Sequence, residues 1–180
     1  TKYFEFDGTN DYIDNTSNYL ISSTTSTFTI ESWIYMTAAP TNDFLNLSAL
    51  ISVNSGGGAS TTNYMSFGPI SNQKLRLRWY DGSSKHAEGS TTLALNTWYH
   101  VVASVSSNAI KMFVNGVQET LSGTTTLTNR NGDAAGFALG QSYTYANYSG
   151  YISNVRVYKG KGLTAAEVQQ NYNALKGRYV

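Results

Sequence analysis

The sequence predicts an all-β protein, two packed antiparallel sheets closed by one short C-terminal helix. Three observations carry that expectation. Short segments of alternating apolar and polar residues recur along the chain, bounded by Gly, Asn, Asp and Ser, as sandwich strands do. Asn115-Gly116 separates two such segments, and both residue types tolerate the positive φ that a two-residue type I′ hairpin turn requires. Tyr151–Tyr158 alternates like a half-buried strand and then gives way to Leu163-Thr-Ala-Ala-Glu167, where Thr164 and Glu167 are spaced to cap a helix reciprocally.

In chain order the expected strands are Tyr3–Phe6, Asp11–Asp14, Phe28–Met36, Ala49–Val53, Tyr64–Phe67, Lys74–Tyr80, Trp98–Ser106, Ile110–Val114, Val117–Glu119, Ala135–Leu139 and Tyr151–Tyr158. Asp81-Gly82 marks a second hairpin, turning Leu75-Arg-Leu-Arg-Trp-Tyr80 back on itself, while Ser55–Ser60 and Ser122–Thr126 read as loops. In the last strand, strict alternation puts Tyr151, Ser153, Val155 and Val157 on one face and Asn154 and Arg156 on the other. The helix runs through Val168, Tyr172 and Leu175 and is expected to stop at Gly177. Phe28, Ile30, Trp33, Ile34, Trp98, Val102, Ile110, Met112, Val114, Val155 and Val157 are expected to fill the space between the sheets.

The 180 residues read as a single domain, 1–180, large enough to fold without covalent staples. Cysteine is absent, which excludes disulfides and thiolate metal sites. Twelve basic and 11 acidic residues give a net charge of +1, with no electrostatic footprint for nucleic acid or an anionic membrane. No apolar run approaches membrane-spanning length, and no basic-then-apolar signal segment opens the chain. A start at Thr1 rather than Met is what a processed product or an excised domain would show. Only 13% of residues are charged, whereas Tyr, Thr, Ser, Asn and Gly abound, which suits polar but non-ionic outer sheet faces.

Four blocks together resemble the laminin-G-like jelly rolls of the concanavalin A-like lectin/glucanase superfamily. They are Tyr3–Ile13, Phe28–Ile34, Asn96–Val102 with Lys111–Gly116, and Leu139-Gly-Gln141 with Gly150–Tyr158 and the Leu163–Glu167 ending. The tail Tyr158–Tyr172 is similar to such domains in structural proteins of tailed phages. The resemblance implies a jelly-roll sandwich and a recognition module, since many relatives bind glycans or proteins and fewer are hydrolases or lyases. Fold alone does not decide among these.

The hydrolases of that superfamily carry a Glu-x-Asp-x-x-Glu strand, and Glu5-Phe-Asp7-Gly-Thr-Asn10 ends in an amide that cannot donate the proton a leaving glycosidic oxygen needs. No catalytic residue is assigned. Asp7, Asn10 and Asp11, with Asp14 close by, offer hard oxygen ligands on a Gly-containing turn, and the resemblance implies one structural Ca²⁺ near there; the alternative is that Asp7 and Asn10 hydrogen-bond the Gly8 turn. Leu139-Gly-Gln141 is followed by no carboxylate, unlike the calcium-bridged sites of pentraxin-type relatives. Instead, Tyr143, Tyr145, Asn147 and Tyr148 mix aromatic faces with an amide, the composition of a neutral sugar site. Arg76, Arg78, Tyr80, Asp81, Lys85, His86 and Glu88 share one hairpin and read as a solvated outer strand or an interface patch. His100 reads as a packed structural histidine rather than a base.

The expected function is a non-catalytic recognition module binding a glycan or host-surface ligand on a virion or other extracellular surface, with several copies supplying avidity. The alternative is a decoration or fibre protein whose ligand is another coat protein, as a homo-oligomer, with the Lys159–Val180 end packed on a neighbour. A glycoside hydrolase or lyase is the third reading. Neither nucleic acid nor membrane insertion is expected.

Overall fold

The computed structural model describes residues 2–15, 21–41, 51–54, 64–129, 137–142 and 146–180. Its strands are β1 (Phe4–Asp7), β2 (Ile13–Asn15), β3 (Phe28–Met36), β4 (Ile51–Asn54), β5 (Tyr64–Pro69), β6 (Leu75–Tyr80), β7 (Ser84–Glu88) and β8 (Trp98–Ser106). There follow β9 (Ala109–Val114), β10 (Val117–Gln118), β11 (Ser122–Gly123), β12 (Phe137–Leu139), β13 (Gln141–Ser142), β14 (Ala146–Asn147), β15 (Ser149–Lys159) and the helix α1 (Ala165–Leu175). A six-stranded sheet, in the order β1-β15-β3-β8-β9-β10, faces a seven-stranded one, β11-β7-β6-β5-β4-β12-β2. All strand pairings among the described residues are antiparallel, and the whole is a jelly-roll sandwich with a C-terminal helix.

The core between the sheets follows from period-two alternation. Phe28, Ile30, Ile34 and Met36 of β3 point inward with Val101, Ala103 and Val105 of β8, and they meet Phe67, Leu75, Leu77 and Trp79 from the opposing sheet. Residues of the other parity on β3 and β8 therefore face outward. That corrects the placement of Trp33, Trp98 and Val102. Trp33 adjoins Ile34, so one strand cannot send both into the same layer. Val102 instead joins Phe113, Leu163 and Val168 in a second small cluster beneath α1.

The Asn115-Gly116 turn has the geometry expected of it, with φ of 51° and 80°. The Asp81-Gly82 hairpin closes through three residues, with Tyr80 opposite Ser84 and Asp81 Oδ1 accepting from the Ser83 amide. The strict alternation expected of the last strand fails at one point. Ser153 pairs with Trp33 but Arg156, three residues on, pairs with Glu31, so β15 carries one extra residue at Asn154, whose φ is +50°. That bulge reverses the faces, turning Val155 and Val157 toward the main core while Ser153 and Arg156 share the outer face.

α1 begins as expected. Thr164 Oγ1 accepts from the Glu167 amide, and the Glu167 carboxylate accepts from the Thr164 amide at 2.9 Å. Leu163 before the cap and Val168 after it pack together as a hydrophobic staple. The end differs: Gly177 does not stop the helix in a left-handed conformation, because the chain tightens into a 3-10 turn over Lys176–Arg178. This turn sets Tyr179 down on the sheet, its ring stacked 4.2 Å from Trp33. The Lys159–Val180 end thus packs on its own sheet.

Candidate functional site

Antiparallel register lines up one cross-strand row on the outer face of the six-stranded sheet. Glu5 of β1 lies opposite Tyr151 of β15, Tyr151 opposite Tyr35 of β3, and Tyr35 opposite Trp98 of β8. Side chains so placed share a face and touch. Ring centroids are 5.3 Å apart for Tyr35–Tyr151 and 5.5 Å for Tyr35–Trp98. Tyr3, 48% exposed, adds a fourth ring 4.5 Å from Tyr151. Tyr179 adds a fifth, 4.8 Å from Trp98. Tyr35, Trp98, Tyr151 and Tyr179 are all half-buried. The Glu5 carboxylate beside Tyr151 pushes that phenol above its ordinary value.

Beside this row an open pocket of about 730 Å³ is lined by Lys2, Ser153, Asn154, Arg178 and Tyr179. The bulge builds its floor: Ser153 Oγ lies 2.8 Å from the Tyr179 hydroxyl, and Asn154 Nδ2 donates to the same hydroxyl. Ser153 Oγ also donates to the Lys2 carbonyl at 2.5 Å, tying the N-terminal segment to the C-terminal one.

Further along the same face, under α1, Glu31 is 1% exposed. Its Oε1 accepts from His100 Nε2 at 3.0 Å and Arg156 Nη1 at 3.1 Å; its Oε2 accepts from Asn171 Nδ2 at 2.9 Å and the Tyr158 hydroxyl at 3.2 Å. Burial pushes this carboxyl up, but bonding and charge from His100, then Arg156 and Asn171, outweigh it and hold the group below its ordinary value. His100 is fully buried against Glu31 and Trp33. This cluster fastens the helix to the sheet.

The sequence-predicted ligand set fares unevenly. Tyr143 and Tyr145 lie outside the described residues. Tyr148 is 1% exposed and meets Phe6 edge-on, so its ring is core rather than a stacking surface, and burial pushes its phenol far up. Asn147 is half-buried, and its Nδ2 donates to the Thr9 carbonyl. It thereby joins the Asp7–Asp11 turn, where Asp7 Oδ1 accepts from the Thr9 amide at 2.7 Å and the Asn10 amide at 3.4 Å. Asp11 Oδ2 accepts from the Asp7 amide at 3.0 Å. These bonds close the turn from within. Among the described residues no three His, Cys, Asp or Glu side chains converge as metal ligands.

On the opposing sheet, Arg76 pairs with Glu88 at 2.6 Å. Arg78, expected on a solvated strand, is 5% exposed and donates through Nε to Ser84 Oγ. Burial and the neighbouring Arg76 and Arg78 hold His86 below its ordinary value. No helix among the described residues is long and apolar enough to cross a membrane.

No curated protein matches the sequence. Among solved structures, domain 4 of AbnA, a GH43 extracellular arabinanase from Geobacillus stearothermophilus in complex with arabinotriose, superposes with a TM-score of 0.59 at 17% identity, over 92% of this chain and 85% of that one. The Ruminococcus gnavus IT-sialidase CBM40 bound to alpha2,3 sialyllactose gives 0.66 at 11% identity, over 89% and 98%. Trypanosoma rangeli sialidase gives 0.58 at 16% identity, over 83% of this chain but only 23% of that much longer one. At such identities these likenesses establish the fold alone. A laminin-G-type family model covers residues 7–169, and the chain belongs to the concanavalin A-like lectin/glucanases superfamily.

Proposed function

We propose that this domain is a non-catalytic carbohydrate-binding module whose ligand lies along the outer face of the six-stranded sheet. The observation that carries this reading is the aligned row Tyr151–Tyr35–Trp98, flanked by Tyr3 and Tyr179. Aromatic faces stack on the C–H side of sugar rings, and the pocket lined by Lys2, Ser153, Asn154, Arg178 and Tyr179 sets polar groups beside them. Two of the structural neighbours hold oligosaccharides, which supports the class of ligand without naming it. Glu5 and Asp7 do not make an acid–nucleophile pair in this reading: they sit on edge strand β1, and the Asp7 carboxylate caps a turn. The same proposal puts the domain on an extracellular or virion surface, where repeated copies add avidity. It also allows one Ca²⁺ at the Asp7–Asp11 turn, with backbone carbonyls completing the shell; a thermal shift in calcium against EGTA tests that part.

The main test is titration with a panel of oligosaccharides, using the wild type and Trp98→Ala. Saturable binding that Trp98→Ala weakens tenfold or more is expected. Absence of binding across the panel, with and without calcium, overturns the reading. A size-exclusion mass above the monomer, with the row shielded in the assembly, would replace it with the decoration-protein alternative.

A further inference from the structure

We propose that the pocket at the end of the aromatic row selects a carboxylate-bearing sugar, a uronic or nonulosonic acid unit, rather than a neutral one. The inference rests on the carbohydrate-binding reading and names the ligand class of that same surface. Its ground is the charge of the lining. Lys2 and Arg178 come from opposite ends of the described chain and converge on one pocket, whose other lining groups are Ser153, Asn154 and Tyr179. No carboxylate lines it among the described residues. On a chain with almost balanced charge, that pairing is local rather than a general basic character.

Two acidic side chains of this sheet are disposed elsewhere. Glu31 is buried beneath α1 and held by His100, Arg156, Tyr158 and Asn171. Glu5 lies at the edge-strand end of the row, opposite Tyr151. A saccharide running along Trp98 and Tyr151 would thus meet a cationic end beside Tyr179. Bulge and turn fix that end: Asn154, at φ +50°, and Ser153 both bond the Tyr179 hydroxyl, and Tyr179 stacks on Trp33. A bulge re-aims side chains in this way. Two cations at one end of an aromatic strip suit one carboxylate on a sugar ring; a polysulfated or polyphosphate chain would call for a longer basic track.

The experiment compares charge-matched pairs by calorimetry: trigalacturonate against its methyl ester, and 3′-sialyllactose against lactose, at 50 mM and 500 mM NaCl. The expected result is that the acidic member of at least one pair binds tenfold or more tighter at low salt. That ratio should shrink severalfold at high salt, and should fall to near one in K2A/R178A, while Trp98→Ala weakens both members of the pair. Equal affinity within each pair, or a ratio unchanged by K2A/R178A in a variant of native melting temperature, overturns the proposal and leaves the carbohydrate reading standing. Binding to none of the four probes overturns this proposal for the sugars named. The carbohydrate reading is then decided by the wider panel.

Discussion

Asn171 of the C-terminal helix donates to Glu31 of β3 across 140 residues of sequence, at 2.9 Å. The same carboxylate gathers β8 through His100 and β15 through Arg156 and Tyr158. One buried anion therefore joins four elements, and its removal leaves their donors stranded. Breaking a buried pair by deleting one partner costs about 3–5 kcal/mol. Glu31→Ala should lose stability of that order in urea unfolding, and Asn171→Ala only about 1 kcal/mol. The folded-state value of Glu31 lies below its unfolded one, so its contribution is present above the ordinary carboxylate range and lost as pH falls below it. Wild type and Glu31→Ala should accordingly converge in stability in acid.

Gly150 has φ +137° and pairs with Met36 at the head of the aromatic row. A Cβ there would press into the Tyr35 carbonyl, a backbone atom that cannot swing aside. Gly150→Ala should therefore cost about 1–3 kcal/mol and disturb the Tyr35–Tyr151 contact. Loss of near-ultraviolet circular dichroism at temperatures where the fold persists would register the second effect; an unchanged melting point would contradict the first.

The layers and the helix cap were legible in the sequence because both depend on short-range spacing. Phe28-Thr-Ile-Glu31 opens its strand on an alternation, and Thr164 to Glu167 is a fixed interval. What eluded it was parity. Trp33 and Trp98 read as core because they are large and apolar, yet each neighbours a residue already committed to the opposite face. The bulge at Asn154 is likewise silent in the pattern, since Asn tolerates positive φ but does not demand it. The aromatic row was missed for a further reason: its members lie far apart in sequence, at Tyr3, Tyr35, Trp98 and Tyr151, and only register unites them. A cluster contiguous in sequence drew attention to Tyr148, which is buried instead.

The capping box supplies an acid-sensitive element of its own. Lys161 first, and then the Thr164 amide and hydroxyl, lower the Glu167 carboxyl from 4.5 to about 2. A lowered carboxylate contributes stability above its unfolded value and loses it as pH falls through the folded one, so this contribution should fade between about 4.5 and about 2. Thr164→Ala, which removes the reciprocal cap, should cost about 1 kcal/mol at neutral pH. Nuclear magnetic resonance titration of the Glu167 carboxyl, or helix-amide exchange against pH, checks the window.

Tyr179 covers Trp33 as a near-parallel lid, with 14° between the rings, and it also tilts against Trp98. Trp33 and Trp79 are fully buried, whereas Trp98 is half-exposed, so one indole of the three should be open to a soluble quencher in the wild type. Tyr179→Ala removes about 0.5–1.5 kcal/mol of aromatic pairing per ring contact. It should bring Trp33 within reach of acrylamide, raising the quenchable fraction of the fluorescence while the cooperative unfolding transition persists. If Trp33 remains shielded in that variant, Tyr172, stacked 5.7 Å from it, covers the indole without help, and the terminal turn does not hold the platform closed.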